Sequence, residues 1–352
     1  MVLEDIDFGI LQELADNPQT TDIVVTDTGR VWVDKGFGLQ EYNPRIPFDN
    51  PMILREYAVW LCAQLGKRLD DSCPIADASS PVGVRVHALI APIVLSGAAI
   101  SIRFPALKRY CLTELSSRGM FPIELSRILY LLVTQRANIL ITGSTGSGKT
   151  TLMKSLLASC DEKDRIVTVE ETRELGSLSK DHVSLATREA NVEGVGSVGL
   201  SDLVKATLRM RPDRIILGEC RGQEIADLLR VFTCGHKGGM TTLHADKVQK
   251  VPARLMSLGL LAGLEPSSLC ALAADAFDVV IHVERVNGMR IVKELGVLRS
   301  TDSGALEGVP ILRLKNCVKS NDSNFSAQIE ETSAWKNFAV KWHLPLNTGL
   351  FL

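Results

Sequence analysis

The chain has 352 residues, 45% of them hydrophobic and 23% charged, with 27 glycines and 14 prolines. That usage is ordinary for globular proteins and excludes a wholly disordered, fibrous or repeat-biased chain, while the length predicts two domains. With 39 basic and 41 acidic residues the net charge is −2, so the basic excess of a dedicated nucleic-acid binder is missing.

The opening Met1-Val2-Leu3-Glu4-Asp5-Ile6-Asp7 is acidic where an export signal is basic. The eight cysteines are scattered without a Cys-x-x-Cys pair, which speaks for buried thiols in a reducing compartment and against a zinc ribbon or disulfide scaffold. Strands are predicted at 23–26 and 30–34 around the hairpin signal Asp27-Thr28-Gly29. Residues 50–65 carry Ile53, Tyr57, Trp60, Leu61 and Leu65 at helical spacing and end at Gly66. The 17 residues between Arg85 and Arg103 are free of charge and approach the length of a membrane span. Pro92, Ser96 and Gly97 interrupt that run, so it reads as strands at 84–91 and 98–104 joined by a turn. Residues 1–104 are therefore expected to form a small mixed α/β domain, and 105–111, which fits neither periodicity, a linker.

From 112 onward helices alternate with strands. A helix at 122–136 opens on Pro122, a continuous apolar strand follows at 138–142, and a glycine-rich turn leads into a helix reaching 159. Strands at 165–170, 183–187, 214–218 and 240–244 with helices at 200–210 and 224–232 predict a largely parallel sheet covered on both faces. Strands at 278–284 and 290–298 flank Asn287-Gly288 as a hairpin. After 300 the pattern weakens, and the Ser- and Asn-rich stretch 319–328 reads as a loop. The second domain is thus expected over 112–300, with 301–352 as a C-terminal extension.

Gly143-Ser144-Thr145-Gly146-Ser147-Gly148-Lys149-Thr150 matches G-x-x-x-x-G-K-[ST] and sits between a predicted strand and a predicted helix. Glycines let successive backbone N–H groups converge on one anion, and the helix N-terminus adds partial positive charge. Lys149 is expected to reach the β- and γ-phosphates of a nucleoside triphosphate and Thr150 to ligate Mg²⁺, with Thr151 completing the binding segment. No Asn-Lys-x-Asp string is present to select guanine.

Hydrolysis also needs carboxylates near the metal and the water. Arg214-Ile215-Ile216-Leu217-Gly218-Glu219 has the form of a Walker B strand, with glycine where many relatives have aspartate, and Glu219 is the candidate for holding Mg²⁺ through water. The strand 166–170 delivers Glu170 and Glu171 to the same edge of a parallel sheet, where either could aim the water. His244, at the end of the strand 240–244, is placed to hydrogen-bond a γ-phosphate, whereas His236 is placed to cap a helix.

Together, the P-loop, Val169-Glu170-Glu171-Thr172-Arg173-Glu174-Leu175, the segment 208–222 and the segment from Gly235-His236 to His244-Ala245 resemble the Walker A, Asp-box, Walker B and His-box elements of the type II/type IV secretion ATPase superfamily. The resemblance runs over roughly 20–300 and is greatest to the Tad/Flp pilus assembly ATPases. It implies an α/β fold with a RecA-like P-loop NTPase core and a smaller N-terminal mixed α/β domain. It also implies a homohexamer that hydrolyses ATP with Mg²⁺, powers pilus assembly or protein secretion, and works with an inner-membrane platform protein from the cytoplasmic face of the membrane. In such enzymes arginines approach the γ-phosphate, and Arg85 and Arg103 occupy the matching positions, with Arg188, Arg209, Arg211 and Arg221 as weaker candidates. The chain departs from the family in having Glu170-Glu171 for Glu-Asp and Val82-Gly83 for Asp-Gly, and it lacks the cysteine-rich zinc module of some members.

Two other readings compete. A RecA-like helicase or DNA translocase would present Arg209, Arg211 and Arg214 to nucleic-acid phosphates, and a non-enzymatic scaffold would bind ATP without turnover. The net charge weighs against the first, and Lys149, Thr150 and Glu219 against the second.

Overall fold

The computed structural model describes residues 6–36, 38–105, 109–176, 178–188, 190, 195–286, 288–319 and 325–348. The chain divides into two compact units, one of Met1–Leu107 with Thr172–Gly176 and one of Lys108–Glu171 with Ser177–Leu352.

In the first unit a 3₁₀ turn, Gly9–Leu11, leads into α1 (Gln12–Ala15), β1 (Asp22–Val25), β2 (Val31–Asp34), β3 (Leu39–Tyr42), α2 (Pro51–Gln64), β4 (Ile75–Ser79), β5 (Arg85–Ile90) and β6 (Ala98–Arg103). The strands form an antiparallel sheet in the order β3-β2-β1-β6-β5-β4. Burial alternates along β1, β2 and β5, so one face meets the core and the other does not. The charge-free run spans β5, a turn and β6, paired antiparallel, and its buried positions are one face of that pair. Asn50 caps α2 by accepting from Met52 N, Pro51 stands at the first helical position, and Leu54, Ala58 and Leu61 are buried where the helix packs on β5 and β6. The strands β3 and β4 carry weak sequence signals. Leu39, Gln40 and Glu41 of β3 are exposed at the sheet edge, and β4 turns only Ala76 and Ala78 inward.

The five residues Thr172–Gly176 join this unit from far along the chain. Arg85 Nη2 lies 2.6 Å from Glu174 Oε1. At Gly83, with φ +94°, a Cβ would come within 2.5 Å of Arg173 O, so the turn before Arg85 has room for glycine alone.

The second unit runs through α3 (Leu112–Ser117), α4 (Ile123–Thr134), β7 (Ile139–Thr142), α5 (Lys149–Leu157), β8 (Ile166–Glu170), β9 (His182–Ala186), α6 (Leu200–Thr207), β10 (Arg214–Leu217), α7 (Glu224–Thr233) and β11 (Met240–Leu243). It continues with α8 (Val251–Leu261), α9 (Pro266–Ala276), β12 (Val279–Val286), β13 (Met289–Ser300), β14 (Leu306–Lys319), β15 (Phe325–Glu331) and α10 (Trp335–Lys341). One nine-stranded sheet has the order β15-β14-β13-β12-β7-β11-β10-β8-β9. From β12 to β9 neighbours are parallel, and β12 through β15 are antiparallel. Every residue of β7, β8, β10 and β11 is buried, and β7 and β10 accordingly read as apolar runs. The fold is α/β, a RecA-like core preceded by a smaller mixed α/β unit.

Beyond Ser300 order does not weaken. Of the loop expected over 319–328, residues 320–324 lie outside the described residues, Lys319 ends β14 and 325–328 are strand. The polar composition misleads because β14 and β15 sit at the end of the sheet, where solvent-facing positions are numerous. Trp335, fully buried, anchors α10, and Gln135 Nε2 donates to Trp342 O at 2.8 Å. Asn287 of the predicted hairpin turn lies outside the described residues. Among the described residues no helix is long and apolar enough to cross a membrane.

Candidate active site

The strand β7 ends at Thr142 and the chain turns through Gly143-Ser144-Thr145-Gly146-Ser147-Gly148 into α5. Gly143 has φ +152°, and a Cβ there would lie 2.2 Å from Val283 O and 2.6 Å from Ser147 Oγ, so the loop closes only around glycine. Gly148, left-handed at φ +102°, is the N-cap residue of α5. Ser144, Thr145 and Gly146 are exposed, Ser147 is buried, and Thr150 and Thr151 are half-buried on the first turn of the helix.

Lys149 folds back over the loop. Its Nζ donates to Gly143 O and Ser144 O, each at 2.9 Å, and lies 3.5 Å from His244 Nδ1. Burial pulls its ammonium below the ordinary lysine range. His244 stands just past β11, and its Nε2 lies 2.7 Å from Glu219 Oε1 without the alignment of a hydrogen bond. Burial, then the charge of Lys149, hold the imidazole below its usual pKa, so it is neutral at pH 7. A neutral ring that takes Lys149 on Nδ1 carries its proton on Nε2, facing Glu219.

Arg221 extends the series. Its Nη2 donates to Glu219 Oε2 at 2.7 Å and its Nη1 to Glu171 Oε2 at 3.0 Å. Lys149, His244, Glu219, Arg221 and Glu171 thus form one connected line along the carboxyl edge of β7, β11, β10 and β8, the crevice where parallel α/β sheets hold ligands.

The backbone fixes this edge. Gly218 N donates to Val169 O, Thr242 Oγ1 to Gly218 O and Cys220 N to Thr242 O, each at 2.9 Å, so Glu219 is held between β8 and β11. Thr187 N donates to Glu170 O at 3.1 Å and Thr187 Oγ1 to Glu171 O at 3.1 Å, which pins the carboxylate pair. Glu170 is buried at 4% exposure with its stem over Gly218, where a Cβ would lie 3.1 Å from Glu170 Cγ. The glycine that replaces the usual Walker B aspartate is therefore occupied space, filled by the neighbouring strand's glutamate.

Several positioning residues carry no sequence signature. Glu224 Oε1 accepts from Arg221 N at 2.6 Å and Gly222 N at 2.8 Å, fixing the turn that presents Glu219 and Arg221. Behind the loop, Thr142 Oγ1 lies 3.1 Å from His282 Nδ1. A Cβ at Gly148 would meet Arg290 Cδ at 3.3 Å and Met120 Cε at 3.5 Å. Only the register of β12 and β13 against β7 brings His282 and Arg290 here.

The arginines separate. Arg85 and Arg103 are directly opposite each other in the β5–β6 ladder of the first unit; Arg85 pairs with Glu174, and Arg103 Nε donates to Asp22 Oδ1 at 3.0 Å. Arg221 joins the line from Lys149 to Glu171, while Arg188 Nε donates to Gly196 O at 2.6 Å. Arg214, which a nucleic-acid motor would expose, is 2% exposed and pairs with Asp164 at 2.6 Å, so it cannot reach a phosphate backbone.

These donors fit Mg²⁺, a hard cation that takes few protein ligands when it rides on phosphates. Thr150 offers a hydroxyl, and Glu219 Oε1 receives no aligned hydrogen bond among the described residues. No cluster of three or more His, Cys, Asp or Glu able to hold a metal occurs among the described residues.

A model of the family described as "Type II/IV secretion system protein" matches residues 4–307. A Mycobacterium tuberculosis protein named for conjugal transfer is 38% identical over 310 residues, which span 86% of this chain and 87% of that protein. The conjugal transfer protein TrbB of Rhizobium radiobacter is 31% identical over 286 residues, 80% of this chain and 84% of that one. The solved ATPase DotB of Legionella pneumophila superposes with a TM-score of 0.54 at 19% identity, covering 86% of this chain and 78% of DotB, and supports the fold alone.

Proposed function

The chain belongs to the type II/IV secretion system protein family, and from that membership we propose that it is an ATPase whose hydrolysis powers pilus assembly or protein secretion in a Tad-like system. It works as a homohexamer on the inner face of the cytoplasmic membrane against an inner-membrane platform protein. The observation that supports this reading best is the unbroken line from Lys149 through His244, Glu219 and Arg221 to Glu171, which joins a phosphate cradle to carboxylates at one sheet edge.

The triphosphate of ATP occupies the loop 143–151, where backbone N–H groups and the α5 terminus hold its charge. Lys149 exchanges its carbonyl partners for β- and γ-phosphate oxygens. Thr150 and Glu219 would hold Mg²⁺, which supplies charge neutralisation on the phosphates when bound. Glu170 or Glu171 orients the attacking water. His244, neutral and poised between Lys149 and Glu219, donates to the γ-phosphate and registers its departure. Arg221 ties Glu219 to Glu171, so loss of the γ-phosphate is felt at both carboxylates. Arg85 and Arg103, directly opposite each other on β5 and β6, are proposed as γ-phosphate ligands.

The Lys149→Ala variant tests the reading, because it removes the ammonium and leaves the glycine cradle. ATP turnover should fall to background with the circular dichroism spectrum unchanged, and the native chain's mass should rise to six subunits with ATP and Mg²⁺. Turnover by the variant at the native rate would overturn the assignment.

A further inference from the structure

The sheet gives the loop 143–150 two unlike sides. Toward β11 and β10 lie His244 and Glu219, and Lys149 Nζ points there, so this is the terminal-phosphate side. The other side is β12, paired with β7, and then β13. A nucleotide whose phosphates face Glu219 must carry its nucleoside toward that second side.

What stands there is a cationic side chain laid along the loop's last glycine. A Cβ on Gly148 would be 3.3 Å from Arg290 Cδ and 3.7 Å from Arg290 Cβ, with Met120 Cε at 3.5 Å. Met120 is held in place because Val292 N donates to its carbonyl at 2.8 Å, and it is buried. Arg290 is exposed and makes no ion pair among the described residues. Its ladder partner is Arg285, also exposed, and like charges directly opposite each other destabilise a strand pair. By contrast, Arg221 is committed to Glu219 and Glu171, and Arg313 to Glu294.

We infer that Arg290, on a floor made by Met120, is the nucleoside-binding residue of the site, its guanidinium plane stacking on the purine of the nucleotide. This rests on the ATPase reading above. A guanidinium has only donors and a flat face, so it accepts adenine and guanine alike, in agreement with a loop that carries no guanine-selecting string.

Calorimetric titration of the full chain with ADP, GDP and inorganic pyrophosphate tests the inference, since pyrophosphate keeps the two phosphates and lacks the nucleoside. Arg290→Ala should weaken ADP and GDP by about tenfold, equivalent to ~1.4 kcal/mol, while pyrophosphate affinity stays within about twofold. Arg290→Lys should recover little, because an ammonium has no plane to stack. A loss for pyrophosphate equal to that for ADP would make Arg290 a phosphate contact and overturn the inference, as would unchanged ADP affinity. If the native chain bound pyrophosphate and neither nucleotide, or failed to turn over ATP, the ATPase reading itself would fall.

Discussion

Placing at position 218 the aspartate that many Walker B strands carry there should damage the protein. Gly218 has no positive φ, so the backbone tolerates a side chain and the obstacle is Glu170. An added Cβ meets Glu170 Cγ at 3.1 Å, Oε1 at 3.6 Å and Cβ at 3.7 Å. The first contact requires Glu170 to shift by a few tenths of an ångström, and overpacking of this kind costs about 1 kcal/mol in a core that cannot yield. Aspartate adds a carboxylate roughly 5 Å from the existing one. At an effective dielectric of about 20 two such charges repel by ~3 kcal/mol. Gly218→Ala should therefore lose about 1 kcal/mol and Gly218→Asp about 2–4 kcal/mol at pH 8. The repulsion belongs to the charge, so Gly218→Asn, which has aspartate's shape without it, should lose little more than Gly218→Ala. Urea unfolding of the native chain and the three variants, with ATPase rates alongside, measures each contribution. A Gly218→Asn as unstable as Gly218→Asp would refute the electrostatic argument, and a fully active, fully stable Gly218→Asp would refute the packing argument.

Glu224→Ala should reduce turnover at least tenfold, because Arg221 N and Gly222 N lose their acceptor and the turn carrying Glu219 relaxes. Glu224→Gln keeps an acceptor oxygen and should restore most of the rate; equal damage from both variants would mean that charge rather than turn geometry matters. His282 is depressed below its ordinary 6.5 by burial and by the charge of Lys149, against the opposing pull of Glu294, Glu284 and Asp246. The unfolded chain takes up the proton that the native state refuses, so this contribution is present above pH 6.5 and is lost as pH falls through the native value. His282→Gln should flatten the loss of stability between pH 7 and pH 5 in thermal unfolding, and an unaltered slope would remove His282 from the account.

What the sequence reveals depends on whether a position is fixed locally. The loop 143–150 is legible because its backbone conformation demands glycine and its chemistry demands lysine and threonine at set spacings. Strands such as β7, β8, β10 and β11 announce themselves by complete burial. The strand β4 does not, since small alanines meet the core and carry no strand preference, and β15 hides because, at the end of the sheet, it is largely polar. Glu219, Glu171 and His244 can be proposed from strand ends alone. The order in which Arg221 and His244 connect them depends on β11 lying between β7 and β10, which is tertiary information. Arg214 illustrates the converse. In sequence it sits among surface-like arginines, yet the pairing with Asp164 takes it into the core.

The first unit is assembled from two stretches of chain separated by more than sixty residues. During synthesis Arg85 and the glycine notch at Gly83 leave the ribosome long before Arg173 and Glu174, and the stretch made in between includes β7, α5 and β8. Its maturation is therefore tied to translation of the cradle loop, and a gene fragment stopped at Leu107 encodes a body with a missing peptide. Grafting residues 172–176 onto such a fragment, rather than lengthening its C-terminus, is the way to supply Arg85 with its carboxylate.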